Sequence, residues 1–165
     1  MNSPVIRRQA TLFLRGNEAV DAVRREFNPK QARLIGSHVT LIREDEVSDW
    51  IELRRRIAGL ELRPIKLKFG QPERDGDLVL VRNLVPAIFD RLREQLLEEP
   101  RRYGAHVTLI HPRNGVCTDA DFEIISSRIQ PFEHIFDEIT FIRQAPGGVW
   151  ETVERFQMRG PRDSD

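Results

Sequence analysis

The pentapeptide His38-Val39-Thr40-Leu41-Ile42 recurs unchanged as His106-Val107-Thr108-Leu109-Ile110. In an extended strand side chains alternate, so each copy sets a histidine and a threonine on one face and apolar residues on the other. Displacement at phosphorus needs a base on the attacking oxygen and an acid on the leaving oxygen. Two imidazoles supply both, because a side chain with a pKa of about 6.5 is available in either form near neutrality. Threonine hydroxyls can donate to the non-bridging oxygens, where charge is held through the transition state. This chemistry needs no metal, and no acidic metal ligands accompany the two strands. A lone strand histidine is usually a satisfied structural residue. Two identical copies are different, since burying two histidines and two threonines costs free energy unless they are paired.

The elements around the motifs repeat as well. The run Ala10–Leu14 precedes a helical pattern with Val20, Val23 and Phe27 on one face. Ahead of the second copy, Leu78–Val81 precedes Ile88, Leu92 and Leu96 at similar spacing. Downstream, Asp49–Ile57 and Asp121–Ile129 read as helices, the second opened by a capping box from Thr118 to Asp121. Ile65–Phe69 and Asp137–Phe141 read as strands, and Gly70–Asp77 as a turn-rich hairpin loop. Ala145–Gly148 separates two strand-like runs, Ile139–Arg143 and Val149–Phe156.

The pattern predicts an α+β fold. A β-α-β-α-β unit occurs twice, in a bilobal pseudo-two-fold arrangement of antiparallel sheets around a central cleft where the polar faces meet. One domain covers 1–165, with lobe one at about 10–70, lobe two at about 77–158, strands free to exchange between lobes, and a tail at 159–165. Neither copy alone is long enough to bury a good core.

Lysine plus arginine balances aspartate plus glutamate, for a formal net charge of +0. A protein that coats nucleic acid should be basic, so a nucleic-acid partner is expected to enter a local site. No apolar run is long enough to span a membrane, and the stretch from Met1 to Arg8 has no signal-peptide character. The single cysteine, Cys117, cannot form an internal disulfide and fits a reducing cytoplasm.

Other residues carry weaker signals. Tyr103, three positions before His106, is placed either to stack on a base at the cleft mouth or to pack against its lobe. Arg43 and Arg113 follow the two motifs at similar distances and are candidates to hold a second phosphate. Phe13, Phe69 and Trp150 are expected in the core, His111 on the surface, and His134 in a structural role. The spacing of His106, His111 and Cys117 fits no compact zinc module, so no metal is expected.

The paired His-x-Thr-Leu motifs resemble those of the two-histidine (2H) phosphoesterase superfamily, and in size and layout the bacterial 2′-5′ RNA ligase-like proteins. The likeness runs from Thr11 to about Met158 and implies a bilobal fold with a central cleft. It implies that His38 and His106 are the catalytic pair and that Thr40 and Thr108 contact the phosphate. It further implies action without metal or other cofactor on a 2′,3′-cyclic phosphate of RNA or a nucleotide. A 2′-phosphate would be left, with a reversible 2′-5′ RNA ligase activity alongside. Family members often carry an aromatic residue or proline just before a motif histidine, where this chain has Ser37 and Ala105. A cytoplasmic monomer is expected, with an RNA end or a nucleotide as its partner and no protein partner. The alternative is a non-catalytic module that binds a terminal or cyclic phosphate in the same cleft.

Overall fold

The computed structural model describes residues 3–160. In chain order the elements are β1 (Arg7–Phe13), α1 (Glu18–Phe27), α2 (Pro29–Leu34), β2 (His38–Ile42), α3 (Trp50–Ala58), β3 (Ile65–Asp75), β4 (Leu78–Asn83), α4 (Pro86–Leu96), β5 (His106–Ile110), α5 (Asp119–Arg128), β6 (Phe132–Phe136), β7 (Glu138–Gln144) and β8 (Glu151–Gln157). Their strands form one eight-stranded sheet in the order β6-β3-β4-β5-β2-β1-β7-β8, and every pairing is antiparallel.

That order reads as a mirror about its centre. β2 faces β5, β1 corresponds to β4, and β7 corresponds to β3. The last strand of each repeat lies beside the first strand of the other: β3 pairs with β4 and β7 with β1. Val39, Leu41, Val107 and Leu109 are at most 1% exposed. They join Val20, Val23, Phe89 and Leu92 from the helices in one core. Burying one such side chain contributes about 1.5–3 kcal/mol, so the alternation along β2 and β5 has one stable orientation.

Local signals set the helix ends. Asn17 caps α1 by accepting the Val20 N–H, and Thr118 with Asp121 forms the expected capping box on α5. Two elements went unread in the sequence: α2, entered through Asn28 with Pro29 at its first turn, and the edge strand β6. The expected Gly70–Asp77 loop is instead mostly strand. β3 continues to Asp75, and only Gly76, at φ 59°, supplies the left-handed turn. Pro72 is tolerated because β6 has ended by Phe69 and the β4 register shifts between Phe69 and Pro72. The tail expected from Arg159 is tied at its start, where the Gly160 N–H donates to the Leu62 carbonyl. Residues 161–165 of that tail, and Met1 and Asn2 of the N-terminal stretch, lie outside the described residues. Among the described residues, no helix is long and apolar enough to cross a membrane.

Candidate active site

β2 and β5 meet at the centre of the sheet with Val39 opposite Val107. Both valines point into the core, so His38, Thr40, His106 and Thr108 share the opposite face, each half-buried. In an antiparallel ladder this register sets His38 beside Thr108 and Thr40 beside His106. The two histidines then lie on the diagonal of the ladder, where neighbours are roughly 7–8 Å apart. That span leaves room for a tetrahedral phosphorus between two imidazoles. The motifs therefore meet side by side on neighbouring strands of a single sheet.

The two imidazoles are held in the same way. His38 Nδ1 lies 2.8 Å from the Gly36 carbonyl, and His106 Nδ1 lies 3.0 Å from the Gly104 carbonyl. A carbonyl only accepts, so each Nδ1 carries the proton and each neutral ring presents an unprotonated Nε2. Burial pushes His38 down to about 4 against the opposing hydrogen bond to Gly36, with Arg24, His106 and His111 adding positive neighbours. Burial also lowers His106, with Arg82 and Arg43 acting in the same direction.

The supporting groups differ between the halves. Gln9 Nε2 donates to Thr40 Oγ1 at 3.1 Å and to the buried Thr11 Oγ1 at 2.9 Å. The Thr40 hydroxyl is thereby left to donate its own proton elsewhere. Among the described residues Thr108 has no such partner. The Ser37 hydroxyl donates to Asp21, and Arg24 donates to Ser37 and to the Ile35 carbonyl, so α1 clamps the entry to β2. Ser37 and Ala105 are 4% and 2% exposed. Neither position presents anything to a nucleobase.

These four residues line a cleft of about 540 Å³ that also receives Arg7, Arg8, Gln9, Arg24, Arg43, His111, Arg113 and Trp150. Arg43 and Arg113 thus reach the cleft. Tyr103 does not. Its hydroxyl donates to the Leu41 carbonyl at 2.9 Å and accepts from Arg93 at 2.6 Å. The guanidinium carbons of Arg43 and Arg93 stand 4.4 and 4.1 Å from its ring centroid. Tyr103 is therefore a support beneath Arg43, and its ring is unavailable for stacking on a base.

Three expectations are corrected, those for Trp150, His111 and Phe13. Trp150 is a cleft residue, set there by its N–H bond to the Leu34 carbonyl and lying 5.2 Å from the Arg7 guanidinium. His111 also turns inward, because the buried Asn28 side chain accepts its backbone N–H at 2.8 Å. Gly115 permits that approach: a Cβ there would meet Ile110 at 2.7 Å and Asn28 at 2.9 Å. Phe69 is in the core, whereas Phe13 is half-buried with its ring centroid 6.3 Å from that of His38. His134 packs edge-on against Phe136. Cys117 is buried and its thiol faces the Thr118 carbonyl. Among the described residues no cluster of histidine, cysteine, aspartate or glutamate is placed to hold a metal.

Gln9, Arg7, Arg24, His111 and Trp150 went unrecognised in the sequence. Arg7-x-Gln9-x-Thr11 does carry a signal, a polar stripe at strand spacing ahead of the apolar run. Trp150 carries none.

No family model and no curated protein sequence matches the chain. Its architecture does match solved structures. Escherichia coli LigT complexed with ATP superposes with a TM-score of 0.65 at 18% identity, covering 94% of this chain and 99% of LigT. LigT in apo form gives 0.64 at 18% identity, covering 95% and 99%. A phosphoesterase structure gives 0.62 at 13% identity, covering 93% and 99%. The chain has the fold of LigT over nearly its whole length, in agreement with the α+β arrangement its repeats imply.

Proposed function

We propose that this protein is a 2H-type phosphodiesterase that opens a 2′,3′-cyclic phosphate on an RNA end or a nucleotide without a metal. The observation that carries the reading is the matched pair of Nδ1–H bonds to Gly36 and Gly104, which turn two Nε2 atoms toward one cleft. His38, the ring held more firmly neutral, takes a proton from water as the water oxygen attacks phosphorus. His106, as imidazolium, protonates the departing 3′ oxygen, leaving a 2′-phosphate. Thr40 and Thr108 donate to the non-bridging oxygens. With a 5′ hydroxyl in place of water, the same displacement breaks the bond to the 3′ oxygen and leaves a 2′-5′ linkage. In reverse, the 3′ hydroxyl attacks that diester, the 5′ oxygen departs with the proton roles exchanged, and the cyclic phosphate re-forms. LigT has been solved with ATP, NADP+ and 3′-AMP, which favours a nucleotide-sized ligand for this cleft too.

The experiment is a substrate panel of the four 2′,3′-cyclic nucleotides and a 2′-5′-linked dinucleotide, each with and without excess EDTA. Conversion of a cyclic nucleotide to its 2′-monophosphate, unaffected by EDTA, is expected. Tight binding with no conversion across the panel would make the protein a phosphate-binding module. Activity lost to EDTA and restored by one divalent ion would overturn the metal-free mechanism.

A further inference from the structure

The chain is neutral overall, but its cleft is not. Arg7, Arg8, Arg24, Arg43 and Arg113 all line it. None of the five is in an ion pair among the described residues, whereas arginines elsewhere on the surface commonly are, such as Arg15, Arg25, Arg54, Arg74 and Arg128. Of the two carboxylates at the rim, Asp45 is paired with Arg101, and Glu44, which accepts the backbone N–H of Arg8, offsets one of the five charges. A phosphodiester carries a single negative charge, so one reacting phosphate leaves most of this positive charge unmatched.

The arginines are also spread unevenly. Arg24 supports the entry to His38, and Arg43 acts on His106. Arg7 and Arg113 both act on His111. The Arg113 N–H donates to His111 Nδ1 at 3.1 Å. This fixes the opposite tautomer from that of His38 and His106, with the proton on Nε2. In its neutral form His111 is therefore a hydrogen-bond donor and cannot serve as a base there. Arg7 is held by Gln144 at 3.2 Å and lies over Trp150. Two guanidiniums and one imidazole N–H thus line the same cleft as the His38–His106 face, and His111 is itself among the charges that act on His38.

We infer that Arg7, Arg113 and His111 form a second anion subsite, which holds a further phosphate on the same substrate molecule as the reacting phosphodiester. The substrate class is accordingly a nucleotide or oligonucleotide end with at least two phosphate groups, such as a 5′-phosphorylated nucleoside 2′,3′-cyclic phosphate. Guanidinium groups suit this task because they form forked, charge-assisted hydrogen bonds to phosphate oxygens. The inference rests on the His38–His106 face as the phosphodiester site, and it deepens that reading by naming what the rest of the substrate carries.

The test is equilibrium binding by calorimetry, which can be read whether or not the protein turns over any substrate. The probes are adenosine 2′-monophosphate and adenosine 2′,5′-bisphosphate at two salt concentrations. The bisphosphate is expected to bind at least tenfold more tightly, with a steeper loss of affinity in high salt. Arg7→Gln and Arg113→Gln should each bring the ratio of the two affinities below about threefold. Arg91→Gln, an exposed arginine on α4 away from the cleft, should leave the ratio unchanged. Equal affinity of the wild-type protein for the two probes would overturn the second subsite. A ratio unaffected by either cleft substitution would overturn its location. Absence of turnover with a preserved ratio would instead count against the proposed reaction alone.

Discussion

His38 lies beside Thr108 across the central ladder, and Thr40 lies beside His106. Each histidine therefore has the other repeat's threonine as its cross-strand neighbour. Neither motif forms a site without its counterpart. Replacing His38 or His106 singly with alanine should lower kcat/KM by about 10²-fold or more, with little change in Tm. The double variant should lose far less than the product of the two effects, because the pair acts as a unit. Steady-state kinetics on the three variants checks this, and full activity in either single variant would sink the mechanism.

Gln9 distinguishes the two threonines. Its amide donates to Thr40 Oγ1, which leaves that hydroxyl's proton to be aimed at the phosphate. Gln9→Leu removes two hydrogen bonds of about 1 kcal/mol each, to Thr40 and to the buried Thr11, and frees the Thr40 hydroxyl to rotate. The expected result is a drop of about tenfold or less in kcat, with KM nearly constant. A rise in KM alone would show that Gln9 binds substrate directly.

The shared face of the two motifs was more legible than the frame that delivers it. The His-x-Thr repeat declared the strand face that the two histidines share, because period-two alternation acts within five residues. The repeats around it gave α1, α3, α4 and α5 through apolar spacing. Strand exchange could not be read in the same way, since β3 and β7 have the same local pattern wherever they pair. His111 was misplaced for a related reason. Strand periodicity beyond Ile110 no longer applies, and its orientation is set by Asn28, far away in sequence. Of the two roles open to Tyr103 in the sequence, packing against its lobe is the one found, and the choice could not be read locally because its partners Arg93 and Glu46 come from other elements.

Glu46 and Arg93 form the most enclosed ion pair among the described residues, each 1% exposed at the side chain. Burial alone would raise the Glu46 pKa, but hydrogen bonds from Arg93 and from the Arg43 N–H outweigh it and hold the carboxyl below its usual range. Arg93 also donates to the Leu41 and Arg101 carbonyls, tying the end of β2 to the loop that enters β5. Glu46→Ala leaves a buried guanidinium short of its counter-charge and should destabilise the fold by about 3–5 kcal/mol. Chemical denaturation measures this directly. A loss below about 1 kcal/mol would mean that the network is not holding the two strand ends together.

The pH profile tests the histidine pair where it works. In the free protein both imidazoles are pulled below 6.5, His38 to about 4, chiefly by burial. The proposed reaction needs His38 neutral and His106 protonated. Lowering His38 extends its neutral form to more acidic pH, and lowering His106 brings the loss of its proton to below 6.5. The profile of kcat/KM should therefore be a bell whose maximum lies on the acid side of 6.5. Its two limbs belong to the coupled pair and not to either residue alone. Bound phosphodiester is anionic and favours imidazolium, so the alkaline limb of kcat should lie at higher pH than that of kcat/KM. Arg43 is among the charges that lower His106, and Arg43→Gln should accordingly move the alkaline limb of kcat/KM upward. A flat profile from pH 5 to 9, or a downward shift in that variant, would mean that His106 does not supply the proton in the slow step.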